Sequence, residues 1–372
     1  MENNKPWYQI DGADMLDSPA LVVFPERVKQ NIQAAIAMVG SPSRLRPHVK
    51  THKAAEVCRL MLDAGIHQFK CSTIAEAEML ALEGARDVLL AYQPVGPKVD
   101  RLLHLASRFP QTTFSCLVDD PFAASVLSAK ALDKNLVLPV YLDLNVGMNR
   151  TGITAGDAAV QLYVHVSQLD GLRIFGLHAY DGHIRETDLT LRTRQVDEAF
   201  GPVYEMIDSL EKQGYPVPAL IAGGSPSFPV HAKREREICS PGTFVYWDKG
   251  YGDKFPDQPF VHAALVVTRV VSKPGTNRIT VDLGHKSIAA ENELANRVFF
   301  LNAAGLVPVG QSEEHLVLET AHPEAFQVGD LLYGVPYHIC PTVALHQFAT
   351  TIEDHRITGR WMTVSRDRFL TI

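Results

Sequence analysis

Ser43-Arg44-Leu45-Arg46-Pro47-His48-Val49-Lys50 sets basic side chains at every second position. A strand turns successive side chains to opposite faces, so Arg44, Arg46, His48 and Lys50 would share one face and Leu45 and Val49 the other. Burying such a row is very costly unless an anion lies against it. A solvated edge strand is the plain alternative. Thr51-His52-Lys53 follows and leads into an apolar helical pattern over 54–64, which places Lys50 at a strand's carboxyl end.

Outward from this stretch the chain alternates. Asp17-Ser18-Pro19 precedes an apolar run at 20–24 and a helical stretch to about Val39. Strands are expected at 43–50, 68–73, 87–92, 112–117, 138–146, 173–180, 219–225 and 238–247, with helical patterns such as 54–64, 74–83 and 189–213 between them. Many of these strands are almost continuously apolar, as parallel strands covered on both sides should be. Eight strand–helix repeats fit an α/β fold of the (β/α)₈ TIM-type barrel; a doubly wound open sheet has a similar pattern and stays open. Beyond about residue 255 the segments 260–272, 277–281, 314–319 and 330–334 are short, β-branched and separated by Gly, Pro or Asn. They predict a C-terminal all-β domain. The expected division is an N-terminal segment 1–20 joining the β domain, a barrel over 21–254, and the β domain over 255–372.

Composition narrows the function classes. Hydrophobic residues at 46% and charged residues at 21% are those of an ordinary globular protein. A net charge of -7 gives no support to nucleic-acid or anionic-membrane binding. There is no run near twenty apolar residues and no secretory signal pattern. The five cysteines are odd in number and scattered, which argues against a disulfide framework and for a reducing cytoplasm.

In a barrel the chemistry sits at the strands' carboxyl ends. Those ends carry Lys50, Ser72-Thr73, Tyr92, Asn145, His178, Tyr180, the turn Gly223-Gly224-Ser225, and Tyr246. Glycines let a ligand approach the backbone, and serine hydroxyls with helix-start N–H groups suit a phosphate, although a plain strand–helix loop reads the same. Joined to a lysine at another strand end, the turn suggests pyridoxal phosphate: an amine for the Schiff base and a cradle for the anion. In the β domain, Pro336-Tyr337-His338-Ile339-Cys340-Pro341-Thr342 puts an imidazole and a thiol two positions apart. On one side of a strand they could share a metal. A buried histidine beside a free cysteine is the plain reading.

These motifs resemble the fold-type III pyridoxal-phosphate enzymes, specifically the D-threonine aldolase and D-serine dehydratase group with its alanine-racemase-like barrel. Asp17-Ser-Pro-Ala20 resembles the family's opening, and Arg46-Pro-His-Val-Lys50-Thr-His-Lys53 its cofactor-lysine motif, with Lys50 in the Schiff-base position. Val146-Gly-Met-Asn-Arg150-Thr-Gly152 is similar to the loop whose arginine lies near the cofactor ring, and Pro241-Gly-Thr-Phe-Val-Tyr246 to the segment near the phosphate. The resemblance implies a cofactor-binding set of Lys50, His48, Arg150, Tyr180, Gly223, Gly224, Ser225 and Tyr246. It implies metal ligation by His338 and Cys340, the His-x-Cys form resembling the zinc-dependent dehydratases, where aldolases more typically carry Asp in place of Cys340. Thiolate favours Zn²⁺; Mn²⁺ and Mg²⁺ stay open. A homodimer is implied on the same basis. Gln311-Ser-Glu313-Glu314-His315 resembles a segment near the metal, and Asp282 and His285 read equally as supporting groups or as plain turn residues.

Lys53 rivals Lys50 for the Schiff base, but it already lies in the turn toward the next helix. Nearby cations and partial desolvation would make the Lys50 amine a better nucleophile and base. The expected activity is a lyase acting on D-3-hydroxy amino acids by β-elimination of water, giving a ketoacid and ammonia, with Lys50 taking the Cα proton. Retro-aldol cleavage to glycine and an aldehyde shares the same parts. A racemase would need a second acid–base group such as Tyr333 or Tyr337 and gives no reason for His338-x-Cys340. A non-catalytic cofactor carrier gives no reason for the β domain.

Overall fold

The protein is described by a computed structural model covering residues 5–369; residues 1–4 of the N-terminal segment and 370–372 of the β domain lie outside the described residues. The chain divides into two compact units. One holds residues through Ile32, Thr51–Val57 and Thr243–Arg366; the other holds Gln33–Lys50, Cys58–Gly242 and the residues from Asp367 on. No helix among the described residues is long and apolar enough to cross a membrane.

The second unit is a parallel barrel. Gln68–Cys71, Asp87–Leu90, Thr113–Val118, Leu138–Asn145, Leu172–Ala179, Ala219–Ala222 and Glu237–Cys239 pair as parallel neighbours in that order. Residues 45–48 close the circle: Leu45 bridges to Cys239 and His48 to Lys70, both in parallel. Strand order follows chain order with no reversal, which excludes the doubly wound sheet. The strands are apolar because both faces are covered. Leu89, Leu117, Tyr141 and Ile221 cluster in the core, while their neighbours Val88, Leu90 and Leu220 are also buried. The helices between start where side chains satisfy their first N–H groups: Thr73 accepts from Glu76, Asp120 from Ala123 and Asp188 from Leu191.

Residues 43–50 are not the regular strand expected from their alternation. Pro42–Arg44 form a 3₁₀ turn behind Ser41, and only isolated bridges at Leu45 and His48 remain of the ladder. Pro47 has no N–H to donate. Leu45 and Arg46 are both buried, 0% and 1% exposed, so adjacent side chains do not divide into a wet and a dry face. The basic row is dispersed as a result. The Arg44 guanidinium donates to the carbonyls of Val39 at 2.9 Å and Ala232 at 3.0 Å. Arg46 forms a two-pronged bridge to Asp87 at 2.6 and 2.8 Å. That carboxylate is the anion the buried charge requires. Asp87→Ala is expected to cost about 3 kcal/mol in urea unfolding, because it strands a buried guanidinium; a loss below about 1 kcal/mol would show that Gln68, 3.0 Å from the same group, suffices.

The first unit is built on a sheet running Val307–Gln311, Leu316–Glu319, Arg278–Val281, Ala264–Ser272, Ala20–Val23, Phe348–Glu353 and Arg356–Met362. Leu331–Pro336 also pairs with Ala264–Ser272 and carries Val298–Phe300 on its other edge. Ala20–Val23 runs parallel to Phe348–Glu353, and the remaining pairs are antiparallel. Val22, Phe24, Leu265, Val267, Val335 and Ile352 form its core. Leu331–Pro336 delivers the chain to His338 and to a short helix, Ile339–Leu345.

Candidate active site

The barrel unit brings a compact set of polar groups together near its strands' carboxyl ends. Lys50 is half-buried, and its backbone N–H donates to His48 Nδ1 at 3.3 Å. Leu172–Ala179 carries His178 as its last residue but one and leads to Tyr180. The guanidinium of Arg150 lies over the Tyr180 ring, 4.9 Å from its centroid. Asn145 aims the loop that carries Arg150: its side-chain oxygen accepts the N–H groups of Gly147 at 3.1 Å and Asn149 at 3.0 Å. Ala219–Ala222 runs into Gly223, whose φ of 73° is left-handed. A Cβ on Gly223 would stand 2.4 Å from His231, and one on Gly224 would stand 2.7 Å from the Tyr180 ring. Only glycine fits at either place. Ser225 is buried, and its Oγ accepts the Gly242 N–H at 3.4 Å. Arg150, Tyr180 and Gly224 are therefore contiguous.

Sequence reasoning missed Lys70. It is 3% exposed, with Nζ 3.5 Å from His178 Nε2, and His178 Nδ1 is 2.7 Å from Asp143 Oδ1. Burial pushes the Lys70 ammonium down to about 7, the Lys50 charge adds to this, and Asp143 opposes it. Burial also lowers His178 against the pull of Asp143. The available signal was a lysine inside the otherwise apolar strand Gln68–Cys71. Between pH 7 and 10.5 the unfolded chain binds a proton here that the folded chain does not, so this group's contribution to stability rises with pH over that range. Lys70→Met is expected to stabilise the cofactor-free protein by about 2 kcal/mol or more at pH 6, with the gain shrinking toward pH 10 in denaturant titrations. A destabilised variant at pH 6 would contradict this.

The pyridoxal-phosphate fit rests on the glycine turn, which leaves no room for side chains, lies beside Tyr180 and Arg150 and runs into buried Ser225, with Lys50 in the same barrel unit. Cationic side chains, an amine and a backbone that a ligand can approach closely suit a phosphorylated aldehyde. Tyr246 belongs to the other unit, where it is 1% exposed and meets His52 edge-on at 6.5 Å.

His338 and Cys340 lie at a strand-to-helix junction and not on a strand, as their spacing had suggested. His338 is the residue before Ile339–Leu345, with extended backbone, and Cys340 is inside the first turn. They meet all the same, the imidazole hydrogen-bonding the thiol. Burial opposes charge on both. The pairing overrides it, lowering the Cys340 thiol and, with Glu291 and Asp248, raising His338 to about 9. Glu291 binds His338 Nδ1. Asp248 accepts the Ile339 N–H at 3.1 Å. Thr51, the residue after Lys50 in the chain, has its hydroxyl 3.2 Å from Cys340 Sγ. Imidazole and thiol form a zinc-type donor pair, with Glu291 holding Nδ1 and so orienting the ring. Among the described residues no group of three or more His, Cys, Asp or Glu is arranged to hold a metal ion. Glu291 and Asp248 are distant in sequence and carried no signal.

Other residues that stood open fall into structural places. Asp282 accepts from Ser18 Oγ and, at 2.8 Å, from the Arg269 N–H. Gln311 joins Leu283 and Arg297. Tyr333 packs on Tyr8 with centroids 5.3 Å apart, a core position and not an acid–base one.

Residues 24–249 match the family described as alanine racemase, N-terminal domain, and residues 263–352 match the putative serine dehydratase domain. The chain is similar to 3-hydroxy-D-aspartate aldolase of Paracoccus denitrificans, 27% identical over 95% of this chain and 93% of that one. Its structure is similar to that of D-threonine aldolase from Filomicrobium marinum, with a TM-score of 0.87 at 28% identity, covering 96% of this chain and 98% of the other. D-threo-3-hydroxyaspartate dehydratase of Delftia is 26% identical over 88% of this chain and 92% of its own. A cysteine-to-alanine variant of that enzyme, solved in the metal-free form, superposes with a TM-score of 0.81 at 22% identity, covering 95% and 99%. With its racemase-type domain spanning more than half its length, the chain belongs to the fold-type III pyridoxal-phosphate enzymes, in the branch of D-amino-acid lyases that carries the serine-dehydratase domain.

Proposed function

We propose that this protein removes water from D-3-hydroxy amino acids to leave a 2-oxo acid and ammonia, using pyridoxal phosphate at Lys50 and a divalent metal, Zn²⁺ foremost, at His338 and Cys340. Cys340 is the observation that carries the reading. It is a half-buried thiol drawn toward thiolate by His338, and a thiolate–imidazole pair selects zinc over harder ions. Solved variants of D-threo-3-hydroxyaspartate dehydratase replace a histidine and a cysteine two positions apart, the spacing of His338 and Cys340, and the cysteine variant was solved in a metal-free form.

Lys50 Nζ anchors the cofactor at rest and takes the substrate's Cα proton. His48 steadies the backbone beside it. Arg150 and Tyr180 border the cofactor's ring, and the Gly223–Gly224–Ser225 turn receives its phosphate. Bound pyridoxal phosphate supplies the electron sink that makes the Cα proton acidic. A zinc ion supplies the Lewis acidity that lets hydroxide depart from Cβ. Cα–H and Cβ–O break, water is lost and then regained, and D-threonine yields 2-oxobutyrate and ammonia. The same reading takes a homodimer, a cytoplasmic location and a small-molecule substrate, with Mn²⁺ or Mg²⁺ as the alternative metals.

Retro-aldol cleavage to glycine and an aldehyde is the second reading, favoured by the whole-chain likeness to two aldolases. It takes the proton from the β-hydroxyl and leaves Cα–H intact. D-Threonine deuterated at Cα therefore separates the routes. Elimination releases the label to solvent with a primary isotope effect on turnover; glycine that retains the deuterium would establish the aldolase route instead.

A further inference from the structure

Behind the glycine turn lies a buried ionic cluster that neither the family motifs nor the reaction uses. His231 sits between two carboxylates: Nε2 is 2.8 Å from Asp181 Oδ2, and Nδ1 bonds Glu237 Oε2. The imidazole is 0% exposed and packs on Phe200 with ring centroids 4.7 Å apart. Both ring nitrogens face acceptors, so the geometry calls for the doubly protonated ring, which balances one of the two buried charges. Glu237 takes further bonds from Tyr204 and Arg234. Although burial opposes charge on His231, the flanking carboxylates raise it to about 9. Such a cluster is costly to assemble and gives the barrel core nothing that apolar packing would not.

Its connections lead to the cofactor end. Asp181 Oδ1 accepts from Ser227 Oγ at 2.6 Å, and Ser227 Oγ accepts the Gly224 N–H at 3.2 Å. Asp181 is also the residue after Tyr180. A Cβ on Gly223 would strike His231 at 2.4 Å and Ser227 Oγ at 2.8 Å. The left-handed turn at Gly223 is thus pressed against the cluster on one side while Gly224 supports the Tyr180 ring on the other.

We infer that His231 is a positioning residue: clamped between Asp181 and Glu237, it fixes Ser227, and through Ser227 holds the Gly223–Ser225 turn and Tyr180 in the arrangement that receives the cofactor's phosphate. The inference rests on the reading of that turn as the phosphate cradle. It assigns the cluster to cofactor retention and gives it no part in proton transfer to substrate.

Ser227→Ala cuts the link and leaves the His231 ion pairs in place; His231→Gln removes the charge at its source. Pyridoxal phosphate is titrated into each cofactor-free protein, and the ³¹P resonance of the bound phosphate is recorded. Both variants are expected to raise the cofactor dissociation constant about tenfold or more and to shift the phosphorus line, with Ser227→Ala keeping the thermal midpoint of the cofactor-free parent. If Ser227→Ala folds poorly, Ser227→Cys, which preserves the volume but not the strong acceptor, takes its place with the same expectation. A dissociation constant within about twofold of the parent and an unmoved phosphorus line would overturn the inference. Gly224→Ala separates the two levels. If it weakens binding while the Ser227 and His231 variants do not, the cradle stands and the positioning role falls. If none of the three moves either readout, the cradle assignment falls and takes the inference with it.

Discussion

Replacing Lys50 by Ala is expected to abolish the absorbance band of the lysine-bound cofactor and to lower turnover by about 10⁴-fold or more, since the proposed function makes one side chain both the attachment point and the base. The competing assignment is Lys53, three residues on. Lys53 has a positive φ of 53° and its carbonyl accepts from Ser365, so its backbone is committed to a turn. Lys50 instead directly follows the segment that closes the barrel. Lys53→Ala is accordingly expected to keep the band. The reverse pattern, a band that survives at Lys50→Ala and disappears at Lys53→Ala, would move the attachment to Lys53.

His338→Ala is expected to lower turnover by about 10³-fold or more and to leave cofactor absorbance unchanged, because the proposed function makes it a metal donor and gives it no contact with the cofactor. Metal analysis of the purified variant should find its zinc lost, and Cys340→Ala should behave alike. Cys340→Asp replaces the soft donor with a hard one and should shift the activating metal from Zn²⁺ toward Mn²⁺. Activity that persists in His338→Ala at undiminished rate would remove the metal from the account.

The barrel was legible because its strands are apolar on both faces and its helices begin at Thr, Asp or Pro; the signal lies in consecutive residues. Residues 43–50 misled for a related reason. Period-two alternation was read as one wet and one dry face, whereas a segment closing a barrel buries both Leu45 and Arg46 and finds each charge its own partner. His338 and Cys340 were legible as a pair, but their strand was wrong, because the strand at Leu331–Pro336 ends two residues earlier. What could not be read were groups assembled from distant segments. Glu291 and Asp248 reach the His338 region from separate parts of the chain, and Asp181, His231 and Glu237 come from three loops or short elements with no local pattern. Lys70 was visible as a letter, but only the fold shows that it is buried beside His178.

The central claim, elimination by a cofactor and metal-dependent lyase, is tested most directly by the products formed from D-threonine with pyridoxal phosphate and Zn²⁺ supplied. Ammonia and 2-oxobutyrate in equal amounts are the expected result, lost on chelation and restored by Zn²⁺. Glycine and acetaldehyde would contradict it and make the protein an aldolase.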